Sequence, residues 1–178
     1  MIDEVQTGFA RTGEWFGFEH SGVSPDVVTL AKAMGNGMPI GACWAPVDVA
    51  AAFVPGDHGS TYSGTALATA AVEAVISEMK RLDACSLARA GESKIRAMLD
   101  DADGVTGVRG NGLLLGVALE EGIIAGDVAA EALANGLIVN AVNAATIRIA
   151  PPLTVSEGEI EEAMGILLSA IATVKAAP

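Results

Sequence analysis

Short runs of strand-preferring residues recur along the chain at 27–30, 40–45, 105–109, 113–119, 137–139 and 145–150, each bounded by Gly, Pro, Asn or Asp. Between and after them, apolar residues return every three or four positions. This spacing predicts helices over 65–82, 85–99, 126–135 and 156–172, with a short one over 46–53 closed by Pro55 and Gly56. In the first long helix Leu67, Ala71, Val75 and Met79 repeat every fourth position, and the helix is expected to bridge two domains. The last has Ser156 as N-cap, Glu159 as its capping-box partner, and Ile160, Met164, Leu167 and Ile171 on one face. Gly136 closes 126–135, Gly110 and Gly112 turn the chain between two strands, and Pro151 and Pro152 stop another. Met1, Ile2 and Asp3 read as the last residues of a strand whose beginning is missing, so the chain is expected to be a piece of a longer protein.

Composition sharpens this into an α/β protein. Hydrophobic residues make up 51% of 178 positions and charged residues 18%, with 21 glycines, which suits a packed core rather than a disordered chain. A net charge of −12 argues against a nucleic-acid partner, which calls for clustered Lys and Arg. Cys43 and Cys85 share no ligand-type spacing with His20 or His58, so neither a disulfide framework nor a metal site is expected, and a reduced cytoplasm fits. The acidic turn 100–104 lacks the later ligands of a calcium loop. No apolar run reaches the roughly 18 residues of a membrane span, and no signal core follows the start.

Candidate chemistry centres on Lys32. The apolar strand 27–30 runs into Ala31 and Lys32, and a loop with Gly35, Asn36, Gly37 and Pro39 follows. An amine at a strand's carboxyl end stands where open α/β sheets bind ligands, and an apolar backing helps it lose its proton and act as a nucleophile. A lysine closing a strand also commonly just reaches into water. Asp3 precedes Lys32 by about 30 positions, enough for a crossing between parallel strands, so both side chains can face one crevice. An acid and an amine so placed meet the needs of pyridoxal phosphate: the amine forms a Schiff base and the carboxylate keeps the pyridine nitrogen protonated. An Asp after a strand also commonly caps the following turn.

The stretch DEVQTGFARTGEWFGFEHSGVSPDVVTLAKAMGNGMPIGA, residues 3–42, resembles the class III pyridoxal-phosphate aminotransferases, above all the acetylornithine and ornithine group. The resemblance implies that Asp3 pairs with the pyridine nitrogen, Val5 packs on the ring, Gln6 bonds the phenolic oxygen, and Lys32 carries the cofactor and shuttles the substrate proton. It further implies that Thr61 reaches the cofactor phosphate of a partner subunit in a homodimer, with Ser60 contacting substrate there; His58 reads as packing. IRIAPPL, 147–153, resembles the segment whose arginine, here Arg148, binds a substrate carboxylate, while Arg109 reads as structural. Where the family continues Gly-Gly-Asn-Pro-Leu-Ala, this chain has Ser63, Gly64, Thr65, Ala66, Leu67 and Ala68, which alters the loop and leaves Thr61 untouched.

The implied fold is α/β, of fold type I, with the C-terminal part of a large domain at 1–80 and a small α+β domain at 83–178. The implied reaction moves the ω-amine of N-acetylornithine or a similar diamino acid to 2-oxoglutarate, in arginine biosynthesis. Ornithine or 4-aminobutyrate aminotransferases and aminomutases are alternatives within the family. An inactive fragment serving as a folded interaction module is the alternative of another class. Since the phosphate-holding turn and the stacking aromatic of the family are not in this stretch, the chain expressed alone is expected to be poorly soluble and to bind no stable cofactor.

Overall fold

In the computed structural model, residues 1–62 and 64–176 are described, and Ser63, in the altered loop, lies outside them. The chain divides into two compact units, Met1–Cys85 and Ser86–Pro178.

The first unit is built on a three-stranded sheet ordered β1-β2-β3: β1 (Ile2–Asp3), β2 (Val28–Leu30) and β3 (Ala42–Trp44). β1 runs parallel to β2, with Asp3 opposite Thr29, and β3 pairs antiparallel to β2. Backbone bonds from Ile2 N to Val27 O (2.8 Å) and from Glu4 N to Thr29 O (2.9 Å) carry the parallel ladder past the ends of β1. The connection between β1 and β2 holds an aromatic cluster in which Phe16 meets Phe9 edge-on and Phe18 face to face. α1 (Val47–Ala50) is shorter than the expected 46–53, because Ala52 and Phe53 already bond three residues back, in tighter turns before Pro55. His58 packs its ring edge-on against Phe53. α2 (Ala66–Arg81) starts without the family's proline, since Thr65 Oγ1 accepts from Ala68 N and supplies the cap. Of the expected row, Met79 is buried and Ala71 and Val75 are half-buried, whereas Leu67 is 70% exposed and Ala68 is buried in its place at the helix start.

The second unit is a four-stranded antiparallel sheet with three helices. α3 (Ala84–Leu99) leads to a hairpin of β4 (Val105–Asn111) and β5 (Leu114–Leu119). α4 (Ala125–Ala134), β6 (Asn140–Asn143), β7 (Thr146–Ile149) and α5 (Glu157–Lys175) follow, and the sheet order is β4-β5-β7-β6. Leu115, Val117 and Leu119 alternate inward on β5 and Ile147 and Ile149 on β7, packing with Ile95, Leu99, Val128, Met164, Leu167 and Ile171 from the helices in one core. Arg96 ties α3 to the hairpin by donating to Glu92, to Val108 O (2.8 Å) and to Gly110 O (2.7 Å), while Glu92 accepts from Gly112 N (2.6 Å). Two free carbonyls and one amide near the turn are thereby satisfied.

The apolar triplet 137–139 is not a strand. Leu137 N bonds Ala132 O as α4 ends, and the pairing with β7 is taken by the more polar β6, where Asn140 faces Arg148. Among the described residues, no helix is long and apolar enough to cross a membrane.

Candidate active site

Two parallel strands carry the acid and lead to the amine. Asp3 ends β1 with an exposed side chain whose Oδ1 accepts from Val5 N (2.9 Å) and from Thr29 Oγ1 (3.1 Å). The first bond is an Asx turn; the second exists because the parallel register sets Thr29 beside Asp3 on one face of the sheet. Val5 and Gln6, both half-buried, leave the strand directly after Asp3 and Glu4.

Glu4, which the sequence did not single out, anchors that departure. Only 1% exposed, its carboxylate accepts from Gly17 N (2.9 Å), Phe18 N (2.8 Å) and the Thr7 hydroxyl. A buried carboxylate is stable only when its oxygens are so filled. Space for a side chain at Gly17 is tight, since a Cβ would stand 3.1 Å from Thr7 Cβ and 3.2 and 3.3 Å from the two carboxylate oxygens. The chain beyond, at Phe9 and Ala10, takes positive φ in buried surroundings, and burial lowers the pKa of the neighbouring Arg11 guanidinium.

Lys32 lies just beyond the end of β2, exposed, at the head of a single 3₁₀ turn, Lys32–Met34, and with φ of 46°. A left-handed lysine costs on the order of 1 kcal/mol or more, a strain that collects at functional sites. The loop holds it there: Gly35 N and Asn36 N both bond the Lys32 carbonyl, and Met38 N returns to Gly35 O. A side chain at Gly35 would collide with Met38 O at 2.5 Å and the Ile40 side chain at 2.6 Å. Among the described residues, every Lys and Arg has an interaction partner except Lys32, Lys80 and Arg148. Lys80 sits on the exposed side of α2, which leaves Lys32 as the unpaired amine beside a strand end.

The remaining expected residues are distributed otherwise. Ser60 and Thr61 lie in an exposed segment after α1, and among the described residues Thr61 makes no hydrogen bond to Asp3 or Lys32. Arg148 belongs to the second unit. It is half-buried on β7, opposite Gly116 and Asn140, on the face away from buried Ile147 and Ile149. It lines a cleft of about 110 Å³ with Ile138, Val139, Pro151 and Glu159. Glu159 is held by Ser156 N (2.8 Å) and Ser156 Oγ (2.7 Å), bonds that keep its carboxyl below the usual range. Arg109 reaches Thr146 Oγ1 at 3.4 Å, across the sheet.

Residues 1–171 match the model of the aminotransferase class-III family. Over 176 residues the chain is 43% identical to an acetylornithine aminotransferase of Corynebacterium efficiens, covering 99% of this chain and 43% of that protein. An acetylornithine aminotransferase of Archaeoglobus fulgidus is 41% identical over 95% of this chain and 44% of its own length. The solved ornithine delta-aminotransferase of Plasmodium falciparum superposes with a TM-score of 0.86 at 33% identity, over 98% of this chain and 46% of that one. The chain thus spans less than half the length of the curated relatives it matches.

Proposed function

The chain belongs to the class-III aminotransferase family, whose members are pyridoxal-phosphate enzymes of a shared α/β fold, and from that premise we propose that it forms part of an acetylornithine-type transaminase. The carrying observation is Lys32: an exposed, unpaired amine in a strained left-handed turn, just past a strand whose parallel neighbour ends in a hydrogen-bonded Asp3. This donor set fits the cofactor, which needs a primary amine for its aldehyde and a carboxylate for its pyridine nitrogen. Bound there, pyridoxal phosphate supplies a carbonyl that condenses with amines and a ring that accepts the electrons of a broken C–H bond.

On this reading Lys32 holds the cofactor covalently and, once a substrate has taken its place, moves a proton to and from the carbon that bears the amine. Asp3 keeps the ring nitrogen protonated, Val5 covers a ring face, and Gln6 donates to the phenolic oxygen. Thr61, exposed on its segment, binds the phosphate held by a second copy in a homodimer, and Ser60 contacts substrate there. The unpaired Arg148 fork binds a carboxylate of both the amino donor and the 2-oxoglutarate acceptor. Among donors, N-acetylornithine is favoured, because the curated relatives at 41–43% identity are named for it. The test is formation of glutamate from 2-oxoglutarate by the full-length protein with N-acetylornithine, ornithine or 4-aminobutyrate as donor. The proposal expects the highest kcat/KM with N-acetylornithine; a higher value with ornithine or 4-aminobutyrate would reassign the substrate, and no glutamate from any would overturn the activity.

A further inference from the structure

We infer that Thr29 is a positioning residue that locks the Asp3 carboxylate in the orientation that meets the ring nitrogen of the cofactor, an inference that rests on the proposed role of Asp3. Asp3 stands exposed at the end of β1, where its χ1 has staggered wells open to it. Two donors remove that freedom, and both fall on one oxygen, Oδ1: Val5 N at 2.9 Å and Thr29 Oγ1 at 3.1 Å, so that neither occupies Oδ2, the oxygen that would be left to meet a ring nitrogen.

The two donors differ in what they tie together. Val5 N belongs to the loop that Asp3 itself begins, so the Asx turn travels with that loop. Thr29 lies on β2, three positions before Lys32, and its carbonyl also accepts from Glu4 N at 2.9 Å. Its hydroxyl and carbonyl therefore lock the acid's strand to the amine's strand. Thr29 thereby fixes the register between the strand that carries Asp3 and the strand that leads to Lys32, the two residues that would hold the cofactor. A β-branched residue also has a stiff χ1, which keeps the hydroxyl aimed across the register pair.

A threonine in a strand can serve packing alone, and the variants separate the two roles. Thr29→Val keeps shape and strand preference and removes the donor; Thr29→Ser keeps the donor. In the full-length protein, the dissociation constant for pyridoxal phosphate is measured by equilibrium dialysis for Thr29→Val, Thr29→Ser, Asp3→Ala and the double variant Thr29→Val with Asp3→Ala. Loss of a hydrogen bond to a charged group predicts roughly tenfold weaker binding for Thr29→Val, with Thr29→Ser restoring most of it. With no carboxylate left to orient, Thr29→Val adds less than about twofold to Asp3→Ala. The inference is overturned if Thr29→Val binds as the unaltered protein does, or if it costs the same roughly tenfold in the Asp3→Ala background. Unaltered affinity in Asp3→Ala would instead remove the role given to Asp3, and the inference with it, a result that no behaviour of Thr29 can imitate.

Discussion

Replacing Glu4 opens the loop that carries Val5 and Gln6, and the size of the effect follows from its bonds. Glu4→Ala strips acceptors from Gly17 N, Phe18 N and the Thr7 hydroxyl at a site where the carboxylate is 1% exposed. Each charge-assisted bond is worth about 1.5–3 kcal/mol when its donor is left dry. Gly17, Phe18 and Thr7 are half-buried, so water recovers part of that, and the expected loss is about 3–5 kcal/mol in local stability. Glu4→Gln keeps one acceptor oxygen but turns an NH₂ toward the other donor, for about 1.5–3 kcal/mol. Native-state hydrogen exchange reads this at two named amides. Those of Gly17 and Phe18 are expected to exchange roughly two to four orders of magnitude faster in Glu4→Ala, and tenfold or more faster in Glu4→Gln. Affinity for pyridoxal phosphate falls in parallel, because Val5 and Gln6 follow Glu4 directly. Unchanged exchange at both amides in both variants would refute the clamp.

Two further expectations concern the second unit. Arg148→Leu lowers kcat/KM by about 100-fold for both the amino donor and 2-oxoglutarate, since one charge-assisted fork serves both half-reactions; unchanged kinetics with both would make it a surface residue. Glu159 has its carboxyl lowered first by the backbone bond and then by the side-chain bond from Ser156. A depressed folded value means that the box stabilises α5 fully above the unfolded carboxylate range, about pH 4.3, and loses that contribution as pH falls through the lower folded value. The Ser156 amide resonance should therefore move in acid and stay still in Glu159→Gln; a flat titration in the parent protein would contradict this.

What the sequence revealed was mostly what is local. The Ser156–Glu159 box spans three positions, and both its bonds and the buried row Ile160, Met164, Leu167 and Ile171 are present. Strand β2 and the edge strand β3 announce themselves by composition. Glu4 was illegible because two of its three partners sit 13 and 14 positions away, across a loop whose path no periodicity reports. Thr29 likewise acts 26 positions back, through a register that only the paired strands define. The triplet 137–139 misled because strand-like composition does not say which backbone donors are already taken, and Leu137 N is spent on the end of α4. Nor does anything in the residue types around Lys32 announce a left-handed backbone; that follows from the turn Gly35 permits.

The most direct measurement of the central claim is borohydride reduction of the full-length protein loaded with pyridoxal phosphate, followed by peptide mapping. The account predicts one stable cofactor adduct, on the peptide bearing Lys32, and its absence in Lys32→Ala, which still binds the cofactor without covalent attachment. An adduct on Lys80 or another lysine, with Lys32 unmodified, would contradict it.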